Sequence, residues 1–169
     1  MIASIIDSYV TQRDEFQLLS GYQPFDSLFY VIRGSFSCDF GSGEEIIGAG
    51  DIAIFNSRSP MKRHVIEPLS FLYIKFSQKR EGAFPLPSRA VSALGERERY
   101  DVSRLLLLSD DRTKTSLALR EHYLNDLLIS IIGEPHENAE RKTPTALPTL
   151  LDRPIEFMRE NLEIGRAHV

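Results

Sequence analysis

Between Asp26 and Phe76 the chain is a succession of short aromatic and β-branched runs, each cut off by Gly, Pro or a polar pair after about a dozen residues at most. Such runs are too short and too regularly interrupted for helices. Where they alternate, they do so with a period of two. Phe36, Cys38 and Phe40 are interleaved with Ser35, Ser37 and Asp39, as in a strand with one face buried. The run DSLFYVIRGSFSCDF is broken at Gly34, which predicts two strands joined at a tight Arg33-Gly34-Ser35 corner. A turn is expected at Gly41-Ser42-Gly43, followed by EEII and the Gly48-Ala49-Gly50-Asp51 turn. The next strand is expected at Ile52 to Phe55 and the next loop at NSRSP. A final pair should run from about Lys62 to Ile66 and from Phe71 to Phe76, bending at Glu67-Pro68. Strands at this spacing form an antiparallel sandwich or barrel, not a parallel βαβ sheet.

After Phe76 the pattern changes. Gly82 to Ser88 holds two prolines and is expected to be a connector. Helices are predicted over Glu96 to Leu108 and Thr115 to Ile132, with Gly133 as a cap. In the second helix Leu117, Leu124 and Ile131 recur at heptad spacing and Leu127 and Leu128 fill the same face, while Arg120, Glu121, Asn125 and Asp126 lie mostly off it. Two arrangements satisfy such a stripe: packing on the chain's own β-structure, or a seam between two copies. The stretch from Glu134 to Pro148 has the composition of a linker, and a third, short helix is expected from Pro154, with Ile155, Met158 and Leu162 on one face. The last seven residues, EIGRAHV, can be back-translated into a sequencing-adapter sequence. Glu163 to Val169 is therefore expected to be non-native, the alternative being an ordinary tail.

The 169 residues suit one or two small domains, and 42% hydrophobic against 26% charged residues excludes a disordered chain. No apolar stretch approaches the ~20 residues of a membrane-spanning helix. The opening MIASIIDSYVTQRDEF has neither a basic n-region nor a long apolar h-region, so no secretory signal is expected. With 20 Lys and Arg against 24 Asp and Glu, the net charge is −4, unlike a chain whose whole surface grips nucleic acid. A single cysteine, Cys38, excludes an internal disulfide and a multi-cysteine zinc site, and a reducing cytoplasm is the expected home.

The stretch from Phe25 to Phe76 resembles the cupin-like N-terminal domain of AraC-family transcription regulators. The resemblance is carried by Val31-Ile32-Arg33-Gly34, by Gly50-Asp51-Ile52, by the loop Asn56 to Pro60, and by Tyr73-Ile74-Lys75-Phe76. It implies a jelly-roll antiparallel β-barrel followed by two to three helices: barrel at 1–80, dimerisation helices at 81–133, linker at 134–152, and the start of a helix-turn-helix region at 153–162. It also implies a homodimer through Leu117, Leu124, Leu127, Leu128 and Ile131. DNA would be read only through a domain absent from this chain.

Cupin enzymes commonly hold a metal with three His and one Glu. On the cupin spacing the first ligand positions fall around Ser20 to Gln23 and at Ser27, where there is no His or Glu, and the second-motif His position falls at Met61. No metal and no cofactor are therefore expected. His64 is expected on the surface or at a pocket rim, and His122 packed or solvated; His136 falls in the linker and His168 in the tail, so no catalytic set is legible. Cys38, between Phe36 and Phe40, is expected to be buried and inert. Gly41, Gly43, Gly48 and Gly50 separate strands rather than open a helix, so they are turn formers.

What the resemblance leaves is a container for one small molecule, a sugar by the family's habit. Phe71 and Tyr73 share one strand face and Leu72, Ile74 and Phe76 the other. The Tyr73 face is the one implied to look inward. Tyr22, Ser27, Arg63, Phe71 and Tyr73 are the candidate effector-binding residues, against the alternative that they merely fill the core or face water. The expected function is the sensory and dimerising region of a DNA-binding transcription regulator, not an enzyme. A metal-dependent cupin enzyme (sugar isomerase or dioxygenase) and a stand-alone binding protein are the alternatives.

Overall fold

A computed structural model describes residues 2–41, 43–78 and 86–133. The linker, third helix and tail expected at 134–169, with His136 and His168, lie outside the described residues, as does most of the connector. In order, the elements are β1 (Ala3–Arg13), β2 (Ser20–Gly21), β3 (Asp26–Asp39), β4 (Glu44–Gly48), β5 (Ile52–Phe55), β6 (Met61–Gln78), β7 (Arg89–Val91), α1 (Glu96–Leu107) and α2 (Lys114–Gly133). Every strand pairing is antiparallel, in the order β1-β6-β3-β5-β7, with β2 added to β6 and β4 to β3. The expected architecture, antiparallel β followed by helices, is present. The boundary expected at residue 80 does not separate two bodies: β7 joins the sheet through β5, and the described residues form one compact unit.

The expected corners at Gly34 and Glu67-Pro68 are not hairpins. β3 and β6 are each continuous, paired along almost their whole length, and the two corners face one another as one shared bend. Gly34 has φ +81°, which L side chains rarely adopt, and a Cβ there would sit 2.1 Å from the Pro68 carbonyl oxygen. Pro68, opposite, has no N–H to give to the ladder. Between the Val31–Phe71 and Phe36–Val65 pairs β6 carries one residue more than β3, a bulge that sharpens the turn of the ribbon. The inward positions of β3 accordingly change from Phe29 and Val31 before the bend to Phe36 and Cys38 after it. In a straight strand residues 29 and 36 would be about 23 Å apart. Their ring centroids are 6.1 Å apart, so the ribbon folds back over itself.

The doubled ribbon encloses an aromatic cluster of Phe16, Phe29, Phe36, Phe55, Phe71 and Tyr73, with Val31, Cys38, Ile47, Ala53, Met61 and Leu69. The sheet's other face, Leu28, Tyr30, Ile52, Ile54, Leu72, Ile74 and Phe76, buries Val102 and Leu105 of α1 and Leu124, Leu127, Leu128 and Ile131 of α2. The alternation predicted for Phe71 to Phe76 is thus the partition between the two clusters.

Four of the five α2 stripe residues pack on the chain's own sheet. Leu124, Leu127 and Ile131 are 0% exposed and Leu128 1%, all against the chain's own sheet. Only Leu117, at 38%, faces outward. The polar residues expected off that face do structural work as well. Asn125 accepts from the Ile2 and Ala3 amides (2.5 and 2.9 Å) and donates to the Ala3 carbonyl (2.9 Å), and Glu121 accepts from the Ile5 amide (3.1 Å). The Arg120 guanidinium donates to Ser8 Oγ, and at the other sheet edge Arg89 donates to the Ile131 carbonyl. Helix α2 covers β1, satisfying amides that an edge strand would otherwise leave open.

Gly34→Ala is expected to lower stability by more than about 2 kcal/mol, because it combines a strained φ with a backbone collision. Gly41→Ala, at φ +97° but with open space around the new Cβ, should cost about 1 kcal/mol. Urea denaturation followed by circular dichroism measures both; equal losses would show that the Pro68 contact adds nothing.

Candidate functional site

Among the described residues, the interior of the doubled ribbon holds one charged side chain. Arg63 alternates with Met61 and Val65 on the inward face of β6 and is 6% exposed. Its guanidinium lies 4.3 Å from the Phe16 ring centroid, 5.0 Å from Phe29 and 5.5 Å from Phe55, so three rings present the negative faces of their quadrupoles to the cation. Nε donates to the Leu18 carbonyl (3.2 Å), and the Arg63 amide donates to the Leu19 carbonyl (2.8 Å), which together pin the segment between β1 and β2 across the opening. Nη1 is buried with no hydrogen-bond partner. Burial pulls the guanidinium below its ordinary value, yet an arginine stays charged at neutral pH.

Beside it stands Tyr73, tilted against Phe29 (4.6 Å) and edge-on to Tyr9 (5.5 Å). Burial pushes its phenol up to about 12, against the opposing pull of Arg63. Ser27 Oγ donates to Gln23 Oε1 (2.9 Å), and both side chains approach the Tyr73 hydroxyl. Cys38 faces the same interior. Desolvation raises its thiol to about 12, more than Arg63 lowers it, so it is an unreactive packing residue as expected.

A cavity of about 240 Å³ leads from solvent to this cluster. Its walls include Tyr9, Phe25, Phe29, Phe71 and Tyr73, with Gln23, Thr11, Arg13, Lys75 and Arg63. Among its lining residues there is no Asp or Glu. Lys75 lies over the Phe25 ring at 5.1 Å and over Tyr73 at 5.6 Å. A larger depression of about 450 Å³, walled by Asp26, Asn56, Arg58 and Gln78, adjoins the cavity on the other side of Pro24 and Phe25, which line both. Its buried carboxylate is already used, by the Ser57 amide (2.8 Å) and Gln78 (2.9 Å), and the depression ends at Leu86 and Pro87, next to residues outside the described set.

Of the five candidate residues, Arg63, Phe71 and Tyr73 line the cavity and Ser27 stands behind it, bonded to Gln23. Tyr22 is 64% exposed and does not line the cavity, whereas its neighbour Gln23 is buried and does. Phe16, Gln23 and Phe29 were not singled out by the sequence. Phe16 and Gln23 come from a stretch without periodicity, and Phe29 was hidden within a run apolar on both faces. His64 is exposed, bonded to Ser37 Oγ (2.7 Å) and 3.7 Å from Glu44. Among the described residues no three His, Cys, Asp or Glu side chains are grouped as metal ligands would be. No helix of the described residues is long and apolar enough to cross a membrane.

No known family's sequence model matches the chain, and no curated protein matches it. Among solved structures it is similar to the Salmonella typhimurium protein named EutQ (20% identity, 41% of this chain and 55% of that one, TM-score 0.35). It is similar to a cupin-2 domain protein of Shewanella frigidimarina (16% identity, 43% and 76%, TM-score 0.35). A DUF861 family protein of Thermotoga maritima gives 21% identity over 38% and 73%, with a TM-score of 0.33. The chain thus spans little more than half the length of the Salmonella protein. At these scores the architecture rests on the strand pairing itself.

Tyr73 and Cys38 both ionise near 12 in the fold, against 10.0 and 9.0 for the free groups. The folded chain therefore keeps protons that the unfolded chain releases. The stability these groups contribute is complete below pH 9 and is lost as pH rises toward 12. The urea midpoint should fall between pH 9 and 11, and a thiol reagent at pH 8 should label Cys38 only after unfolding. Rapid labelling of the folded chain would contradict the burial.

Proposed function

We propose that this chain is the effector-sensing region of an AraC-type transcription regulator. A small molecule enters the container between the folded halves of β3 and β6 and biases a helix-turn-helix DNA-binding domain outside this chain. The observation that carries the reading is the interior itself: aromatic walls, an unsatisfied buried guanidinium and an open cavity, the mixture of apolar lining and few convergent polar groups that marks a small-molecule site. The order of elements supports it, since the helices follow the container and pack on its outer face. Sugars are the family's habitual effectors. No cofactor enters this reading, and a reducing cytoplasm belongs to it.

Homodimerisation is part of the proposal, but it would use surfaces other than Leu124, Leu127, Leu128 and Ile131, which are internal. Light scattering on the full chain tests this directly: a dimer mass is expected, and a clean monomer at high concentration rejects pairing.

A metabolite screen by thermal shift tests the sensing role. At a hundredfold excess over Kd, a true effector should raise the melting temperature by about 5–10 °C. The genomic sequence following the codon for Leu162 is expected to encode two helix-turn-helix units. A screen with no saturable shift, together with a gene lacking those units, would overturn the proposal.

A further inference from the structure

We propose that the ligand of this container is a small organic acid whose carboxylate pairs with Arg63. The inference rests on the reading of the container as a small-molecule site and names the class of molecule it takes.

Arg63 lacks a counter-charge among the described residues. A cation buried to 6% exposure is costly unless it is paired and its donors are used. Among the described residues no Asp or Glu forms an ion pair with Arg63, and the charged or polar groups felt by its guanidinium are Tyr73 and Cys38, both protonated at neutral pH. The rings of Phe16, Phe29 and Phe55 offset part of that cost from their faces, but ring faces accept no in-plane hydrogen bond, and Nη1 stays unpartnered.

The rest of the wall points the same way. Arg13 is exposed, Lys75 half-buried and Arg63 buried, three cations at increasing depth, and no Asp or Glu lines the cavity. The chain as a whole carries a net charge of −4, so the positive wall is a local feature and not a reflection of composition. Low-dielectric walls with charge of one sign focus the field on an entering anion.

Shape narrows the class. At about 240 Å³ the cavity lies below the ~300–1,000 Å³ of drug-sized sites, so it fits a small metabolite. Phe25, Phe29 and Phe71 offer apolar contact to the body of the ligand, and the planar guanidinium fork matches the two oxygens of a carboxylate. A neutral polyol would leave the charge uncompensated, and a doubly charged phosphate would carry its second charge into aromatic walls.

The test is calorimetric titration of the full chain with matched pairs, benzoate against benzamide and hexanoate against hexanamide. Each acid should bind at least about tenfold more tightly than its amide, the usual gain of a charge-assisted over a neutral hydrogen bond. Arg63→Met should abolish that preference, while Arg63→Lys, which keeps the charge without the fork, should retain part of it. If Arg63→Met fails to fold by circular dichroism, the wild-type pairs and Arg63→Lys decide. Amides binding as well as acids, neither member binding, or a folded Arg63→Met retaining the preference would each overturn the proposal. Should L-arabinose or another neutral compound bind the wild type while the acids do not, the carboxylate fails and the sensing role stands. No binding by any class removes both.

Discussion

The close approach of Gly34 to the Pro68 carbonyl is the contact on which the molecule's organisation depends. It lets two long paired strands bend together rather than end, and the bend converts one sheet into two facing layers. Without it, Phe36 would be a strand's length from Phe29, and Arg63 would have no ring of β5 within reach. With it, inward residues from both halves of β3 and β6 meet around one point: Phe29, Phe71 and Tyr73 from one half, Phe36, Cys38 and Arg63 from the other. The container is thus a consequence of one backbone constraint that only glycine satisfies.

The helices complete the sheet instead of forming a separate body. Asn125 and Glu121 supply to β1 the partners that another strand would have supplied, and the apolar side of α2 buries the sheet's outer face. Because β6 alternates, the strand that presents Phe71 and Tyr73 to the cavity presents Leu72 and Ile74 to the helices. A displacement of Tyr73 is therefore a displacement of the surface on which α2 rests, in an interior too densely packed to absorb it silently. Coupling of this kind shifts an equilibrium only as far as a ligand distinguishes the two arrangements.

The parts of this architecture legible in the sequence were those written as period and punctuation. The inward Phe36 and Cys38 and the two-faced Phe71 to Phe76 segment follow from alternation, α2 from heptad spacing, and β5 from the turns that bracket it. Gly34 and Pro68 were visible as breaks but not as one bend, since each is interpretable only against its partner across the ladder. β1 escaped notice because its alternation is diluted by Asp7, Ser8 and Thr11, whose neighbours are a paired strand and a covering helix. The α2 stripe showed that a face was buried but carried no information about what buries it. Arg120 and Asn125 look like solvated polar residues until the edge of β1 is placed beside them.

Arg63 is the residue at which local rules and the fold disagree most. Its position on β6, between Met61 and Val65 on the inward face, calls for an apolar side chain. A Met or Leu of similar volume would fill the space among Phe16, Phe29 and Phe55 without desolvating a charge, and replacement of buried ions by apolar residues is often neutral or stabilising. The aromatic rings soften the penalty without removing it, and the link from Nε to the Leu18 carbonyl uses one donor of five. A chain that needed only to fold would gain nothing from the remaining donors. The place of Arg63 in the lining of a cavity walled by two further cations and no Asp or Glu gives those donors a use that packing does not supply.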